Sequence, residues 1–168
     1  IQVAINAHFP TNSIVYAGVG KSDKEIIIGL RNNIFCFNVE SIPELEVINQ
    51  LAVKENTIAN VCLRINPDVS PHTHANIITG MAENKFGISM ADMEKVIWLA
   101  NSLPNIHFKG LHFHIGSQIT NMGDFQLLCD RINRIQDWLD RSIPTAQKNP
   151  LYSTVTDFAR FLGLSTSQ

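Results

Sequence analysis

The residues whose types and spacing most clearly suggest a binding site lie in one short stretch of the sequence, GLHFHIGSQ, at positions 110–118. His112 and His114 alternate on a predicted strand, so both imidazoles would point to one side and could share a metal ion. A second interpretation uses the residues that follow, because an imidazole can lie flat on an aromatic cofactor while Gly116 and Ser117 offer an N–H and a hydroxyl to an anion. This second interpretation accounts for His114, Gly116 and Ser117 together, whereas the metal interpretation accounts only for the histidines.

Two other stretches contain residues typical of binding sites. His72 and His74 lie on a predicted loop, but no acidic pattern near them completes a metal site. The stretch GVGKS is similar to the end of a phosphate-binding loop, yet Val15 stands where that pattern requires glycine. We therefore expect Gly18 and Gly20 to form a tight turn between a strand and a helix.

Strand-like and helix-like segments alternate along the chain. Three predicted helices begin at a serine that is followed three residues later by an acidic residue, the spacing of a capping box, and Asp124 is the predicted cap of a fourth. The serine and acidic pairs are Ser22 with Glu25, Ser41 with Glu44, and Ser89 with Asp92. The predicted strands are residues 13–19, 34–39, 60–66 and 106–115.

The alternation predicts an α/β protein with a parallel sheet, and the strand patterns favour a barrel over an open sheet. In the third strand Val61, Leu63 and Ile65 would share one face, and the opposite face becomes polar towards Arg64. Polar residues pointing inward at the carboxyl ends of strands are typical of a (β/α)8 barrel, whose active site lies at that end. Four such units predict about half of a complete TIM-type barrel.

Composition excludes several functional classes. Thirteen basic and fifteen acidic residues give a formal charge of −2 without a basic run, so we expect neither nucleic acid nor a membrane surface as a partner. The three cysteines are widely spaced, which favours reduced thiols and a cytoplasmic location.

The opening IQVAINAHFP is typical of the last turns of a helix, so we expect the sequence to begin inside a domain.

Three motifs carry a specific resemblance over residues 1–139. LRINPD, THANIITGMAENKFG and GLHFHIGSQ, in this order and at these separations, closely resemble the diaminopimelate decarboxylases, which belong to the alanine-racemase-like, fold type III pyridoxal-phosphate enzymes. The resemblance implies pyridoxal 5'-phosphate as cofactor and an amino-acid substrate, meso-diaminopimelate, which this family converts to L-lysine and CO2 in lysine biosynthesis. It also implies a homodimer with active sites at the subunit interface.

The resemblance also assigns roles to individual residues. His114 matches the histidine that stacks on the pyridine ring, Ser117 beside Gly116 matches the serine that binds the cofactor phosphate, and Arg64 matches an arginine that supports the cofactor site. An ion-pair partner inside the barrel is an equally good interpretation of Arg64. Asn84, Lys85, Phe86 and Gly87 match an element beside the active site.

The resemblance places the Schiff-base lysine on the first barrel strand, upstream of Ile1, and Lys85 does not match it. No catalytic residue is therefore identified in this chain, and we expect the isolated chain to be an inactive segment of the decarboxylase. Residues 1–140 are the predicted partial barrel domain, and residues 141–168 form a divergent tail of unknown structure.

Two alternatives remain open at this point. The first is a non-catalytic barrel remnant that pairs with a complete homologue through its exposed strand edges. The second is a metal-dependent barrel hydrolase that uses His112 and His114.

Overall fold

A computed structural model describes residues 1–67, 86–116 and 119–142. These residues fall into two compact units, the first comprising Ile1–Asn66 and Phe86–Phe113. The second comprises Pro67 and residues 114–116 and 119–142 of the described chain. The first unit contains the sheet and most of the helices.

Four strands form one parallel sheet in the first unit, and their spatial order follows their order in the chain. A doubly wound sheet reverses its strand order at a switch point, whereas a barrel keeps consecutive strands adjacent. The sequential order therefore agrees with the predicted barrel segment. The strands, all shorter than predicted, are β1 (Val15–Tyr16), β2 (Cys36–Val39), β3 (Ala59–Arg64) and β4 (Ile106–His112).

Helices follow the strands as the alternating pattern predicts. Ser22 and Glu25 form the complete capping box, and hydrogen bonds from the Ser22 side chain and backbone lower the pKa of Glu25 to about 2. Ser41 accepts a bond from the Glu44 N–H, but the Glu44 carboxylate accepts from the Glu40 N–H instead of returning to Ser41. Within the described residues the helices are α1 (Gln2–Asn6), α2 (Asp23–Arg31), α3 (Ile42–Lys54), α4 (Met93–Ser102) and α5 (Met122–Ser142), with 3-10 turns at Thr11–Ser13 and Met90–Asp92.

One prediction about the start of a helix is wrong. α5 begins at Met122, so Asp124 lies inside its first turn and is buried rather than capping it. The Asn121 side chain accepts a hydrogen bond from the Gly123 N–H at 3.0 Å, which is the bond that an N-cap residue makes. Two apolar residues of α5, Ile135 and Leu139, are buried and lie one helical turn apart on the same side of the helix.

The predicted two-sided pattern of the third strand is confirmed. Val61, Leu63 and Ile65 are fully buried, while Cys62 and Arg64 on the opposite face are half-buried. Register pairs Asn38 with Cys62, and paired residues of parallel strands project to the same face. Face A is the name we give to the face of Phe37, Val39, Val61 and Leu63, and face B to that of Cys36, Asn38, Cys62 and Arg64.

A β-bulge interrupts the alternation of the fourth strand. Val61 pairs with Phe108, but the next residue, Cys62, pairs with Gly110, so Lys109 is an extra residue in the ladder. Beyond the bulge Leu111 lies beside Leu63 on face A, and His112 lies beside Arg64 on face B. The alternation of Gly110, Leu111 and His112 is therefore as expected for a strand, and the bulge at Lys109 lies before it.

The contact between α2 and β2 predicts a steric effect at Gly29. A methyl group on Gly29 would lie 2.6 Å from Cζ of Phe37, a ring that is 1% exposed. We expect Gly29→Ala to lower the free energy of unfolding by about 1–3 kcal/mol, because overpacking outweighs the higher helix propensity of alanine. Urea denaturation of the purified chain measures this change. The cost should shrink in a Phe37→Leu background, and a Gly29→Ala chain at least as stable as wild type would refute the contact.

Candidate functional site

The carboxyl ends of β1, β2 and β3 meet at one edge of the sheet, and a connected set of charged residues lies there. We call Lys21, Glu40, Glu44 and Arg64 the charged cluster. Glu40 directly follows β2, and Arg64 is the last residue of β3. In a barrel, this edge is the one that carries the active site.

Lys21 is the most deeply buried member of the charged cluster, with its side chain 1% exposed. Its ammonium donates hydrogen bonds to the Gly18 carbonyl at 2.6 Å, the Asn38 carbonyl at 2.8 Å and the Glu44 carboxylate at 2.6 Å. An ammonium has three protons, so these bonds use its full donor capacity. Lys21 therefore joins the loop after β1 to the end of β2 and the start of α3.

Gly18 and Gly20 allow the chain to turn towards Lys21. Their φ angles are +113° and +71°, a backbone region that glycine adopts without strain. The predicted tight turn after the first strand is thus confirmed.

Glu40 holds Arg64 in place. The Arg64 guanidinium lies 2.6 Å from the Glu40 carboxylate, and the two side chains are 11% and 5% exposed. The second oxygen of the same carboxylate accepts a hydrogen bond from the Gly18 N–H at 3.3 Å. Of the two interpretations of Arg64 made from the sequence, the structure shows the ion pair directly, and that pair also orients the guanidinium at the strand end.

Gly87, predicted to lie beside the active site, packs closely against Arg64. Its φ is +86°, and a methyl group there would lie 3.1 Å from the Arg64 carbonyl oxygen. The Ile88 N–H donates to that carbonyl at 2.8 Å, so this segment extends the ladder beyond β3. Phe86, the preceding residue, is 44% exposed.

His112 ends β4 and is the register partner of Arg64. Because the strands are parallel, both side chains project to face B, as the sequence predicts. The His112 carbonyl accepts a hydrogen bond from the Ile65 N–H at 3.0 Å, which continues the pairing to the strand ends.

His114 and Gly116 follow β4 in the chain and belong to the second unit. The His114 side chain is exposed, so its ring is accessible to a ligand. Gly116 has a φ of +127°, a conformation that side-chain-bearing residues rarely adopt, which agrees with a turn built around an exposed N–H. An accessible imidazole followed by a glycine turn fits the predicted binding of a flat, anionic cofactor.

Several predicted site residues lie outside the described residues. They are Ser117, Asn84 and Lys85, together with the histidines of the alternative metal site, His72 and His74. Within the described ranges, no group of three or more His, Cys, Asp and Glu side chains is arranged to hold a metal ion. None of the helices in that part of the chain is long and apolar enough to cross a membrane.

Sequence reasoning did not assign Lys21, Glu40 and Glu44 to the site. Each of them stands one to five residues beyond a strand, where parallel topology brings strand ends together. Their positions after consecutive strands were therefore a usable signal. The choice of partners depends on loop geometry, which local pattern does not encode.

Comparison with known proteins shows the family. Residues 1–143 match the family model described as "Pyridoxal-dependent decarboxylase, pyridoxal binding domain". The chain is 66% identical over 140 residues to the diaminopimelate decarboxylase of Bacteroides thetaiotaomicron, which covers 83% of this chain and 36% of that protein. It thus spans about a third of the length of this curated relative.

Solved structures of diaminopimelate decarboxylases are similar to this chain in fold. The chain resembles the diaminopimelate decarboxylase of M. jannaschii in co-complex with L-lysine, with a TM-score of 0.74 and 37% identity over 83% of this chain and 33% of that one. A point mutant of the Helicobacter pylori enzyme complexed with L-lysine gives a TM-score of 0.76 and 34% identity, over 83% of this chain and 36% of that one. These likenesses confirm the partial (β/α)8 barrel, and the chain belongs to the pyridoxal-dependent decarboxylase family through its pyridoxal-binding domain.

Proposed function

We propose that this chain is a segment of a pyridoxal-phosphate-dependent diaminopimelate decarboxylase, which converts meso-diaminopimelate to L-lysine and CO2. The observation that carries the proposal is the 66% identity to a curated diaminopimelate decarboxylase over 140 residues. Two solved relatives hold L-lysine, the product of this reaction, which supports an amino-acid substrate.

We assign cofactor binding to His114, Gly116, Ser117 and Arg64. The accessible His114 ring suits stacking on a pyridine ring, and the Gly116 turn suits binding of a phosphate through backbone N–H groups. Arg64, held by Glu40 at 2.6 Å, brings an oriented guanidinium to the carboxyl end of β3. The segment of Asn84, Lys85, Phe86 and Gly87 would border the substrate, and the described packing of Gly87 on Arg64 supports this position.

Bound pyridoxal phosphate supplies an electron sink for the carbanion left when CO2 departs. This chain's residues contribute binding and orientation. Lys21 is engaged by three acceptors, so its ammonium serves to fix the loop after β1 rather than to react with substrate.

The proposal also includes domain boundaries, cellular location and assembly. We assign residues 1–140 to the partial barrel domain and residues 141–168 to a separate tail, and the end of the family match at residue 143 supports this boundary. A cytoplasmic homodimer is the assembly that membership of this family favours.

The isolated 168-residue chain should not release CO2 from meso-diaminopimelate, even with added pyridoxal phosphate. The reason is that the lysine expected to bind the cofactor covalently matches no residue of this chain. The assay measures CO2 release against the full-length Bacteroides thetaiotaomicron relative as positive control. Saturable CO2 release by the purified chain would refute the expectation that the lysine that binds the cofactor lies outside this segment.

A further inference from the structure

We propose that Glu44 is a positioning residue that sets the affinity of this domain for its cofactor. It belongs to a closed ring of hydrogen bonds that holds Glu40, and Glu40 in turn holds Arg64. The inference rests on the proposed function, because Arg64 is assigned there to cofactor binding. Glu44 acts without touching the cofactor, since both of its carboxylate oxygens are engaged inside the ring.

The ring consists of four hydrogen bonds between groups from three loops and helix ends. The Lys21 ammonium donates to one oxygen of the Glu44 carboxylate at 2.6 Å, and the other oxygen accepts from the Glu40 N–H at 3.1 Å. The Glu40 carboxylate accepts from the Gly18 N–H at 3.3 Å, and the Gly18 carbonyl accepts from Lys21 at 2.6 Å. The ring therefore fixes both the backbone and the carboxylate of Glu40.

Glu44 joins the ring instead of completing the local capping pattern of its helix. Glu25 occupies the equivalent position in α2, three residues after the serine cap, and its carboxylate bonds to the backbone and hydroxyl of that cap. The Glu44 carboxylate bonds to Lys21 and to the Glu40 N–H, although the cap of α3 is also a serine. Because the Lys21 ammonium is buried, it requires an anionic partner, and Glu44 supplies it.

Burial makes the ring difficult to replace by water. The Glu44 side chain is 13% exposed, and the side chains of Lys21 and Glu40 are more deeply buried. Hydrogen bonds between charged groups are strong and short in such surroundings. If one bond of the ring is lost, solvent can restore little of it, and Glu40 loses part of its support.

Arg64 keeps donors for a ligand. A guanidinium has five N–H donors, and in the described part of the chain its hydrogen bond at 2.6 Å goes to the Glu40 carboxylate. The remaining N–H groups can donate to oxygen atoms of an anionic cofactor. Because Glu40 is the bonded partner, the position of its carboxylate sets the orientation of these donors.

The variant Glu44→Gln opens the ring with little change in side-chain size. A carboxylate offers two acceptor oxygens, whereas a glutamine amide offers one oxygen and an NH2 group that only donates. The amide can therefore accept from the Lys21 ammonium or from the Glu40 N–H, but not from both. Glu25→Gln is the matched control, because it makes the same change at the same helix position outside the ring.

The test measures the dissociation constant of pyridoxal phosphate by absorbance titration. It uses a complete enzyme in which this chain supplies the aligned 140-residue segment of the Bacteroides thetaiotaomicron decarboxylase. We expect Glu44→Gln to raise the dissociation constant about tenfold, the size of effect that coupled neighbours show. Glu25→Gln should lower stability to urea, because it disrupts a capping box, but should leave the dissociation constant unchanged.

A double-mutant cycle separates positioning from a general loss of stability. In an Arg64→Met background, Glu44→Gln should change the dissociation constant by less than about twofold, because its effect passes through Arg64. The same loss of affinity in both backgrounds would overturn the inference, and so would a Glu25→Gln enzyme weakened as much as Glu44→Gln. An unmodified complete enzyme that binds no pyridoxal phosphate would instead refute the proposed function, and the inference with it.

Discussion

Replacing Glu40 with glutamine is expected to lower the free energy of unfolding by about 3 kcal/mol, because removing one partner of a buried ion pair leaves the other charge uncompensated. The side chains of Glu40 and Arg64 are 5% and 11% exposed. Hydration of the Arg64 guanidinium can therefore replace little of the interaction lost with Glu40. Glutamine keeps the size of the side chain and an oxygen for the Gly18 N–H, so the change isolates the charge.

Urea denaturation of the purified chain measures the effect. Glu46→Gln is the matched control, since Glu46 is an exposed carboxylate on α3 and its loss should change stability by less than about 0.5 kcal/mol. A double variant, Glu40→Gln with Arg64→Met, should recover part of the loss because it removes the unpaired charge as well. The two side chains would then show a coupling energy in a double-mutant cycle.

A Glu40→Gln chain as stable as the Glu46→Gln control would contradict the buried pair. If Glu40→Gln and the double variant lost the same free energy of unfolding, the explanation by charge would be contradicted. Removing the Arg64 charge would then bring no recovery of stability.

The fold could be predicted from the sequence because each element carries its own local signal. Ser22 with Glu25 marks the start of α2, and the alternation of Val61, Leu63 and Ile65 marks the covered face of β3. The predicted ends of the strands were less accurate, because pairing with a neighbouring strand, and not composition, decides where a strand stops. The bulge at Lys109 shows this, because it depends on the register between β3 and β4.

The site could be predicted only in part. Arg64 and Gly87 were identified by motif, and the structure brings these two residues into contact. Glu40 and Lys21 were missed because their roles come from partners in other loops: the Arg64 guanidinium lies 24 residues from Glu40 in the chain, and the Glu44 carboxylate lies 23 residues from Lys21. Only the sheet brings these partners together.

Transferring this chain into a complete relative should create an active decarboxylase, the largest change in activity that the proposal predicts. The chimera replaces the aligned 140-residue segment of the Bacteroides thetaiotaomicron enzyme with that of this chain, to which it is 66% identical. The rest of the enzyme then supplies the residues expected outside this segment. Its kcat/KM for meso-diaminopimelate should lie within about tenfold of the parent, or about 1.4 kcal/mol of transition-state stabilisation.

A matched pair of histidine variants in the chimera tests where the cofactor binds. His114→Ala should weaken binding of pyridoxal phosphate, measured by titration of its absorbance, because the stacking surface is lost. His107→Ala is the control, since His107 lies near the amino end of β4, where its ring contacts the Asn60 side chain.

The most direct test of the account is CO2 release from meso-diaminopimelate by this chimera, measured beside the parent enzyme. The account predicts saturable decarboxylation that depends on pyridoxal phosphate. A chimera that folds and binds pyridoxal phosphate but releases no CO2 from this substrate would contradict the assignment of this chain to a diaminopimelate decarboxylase.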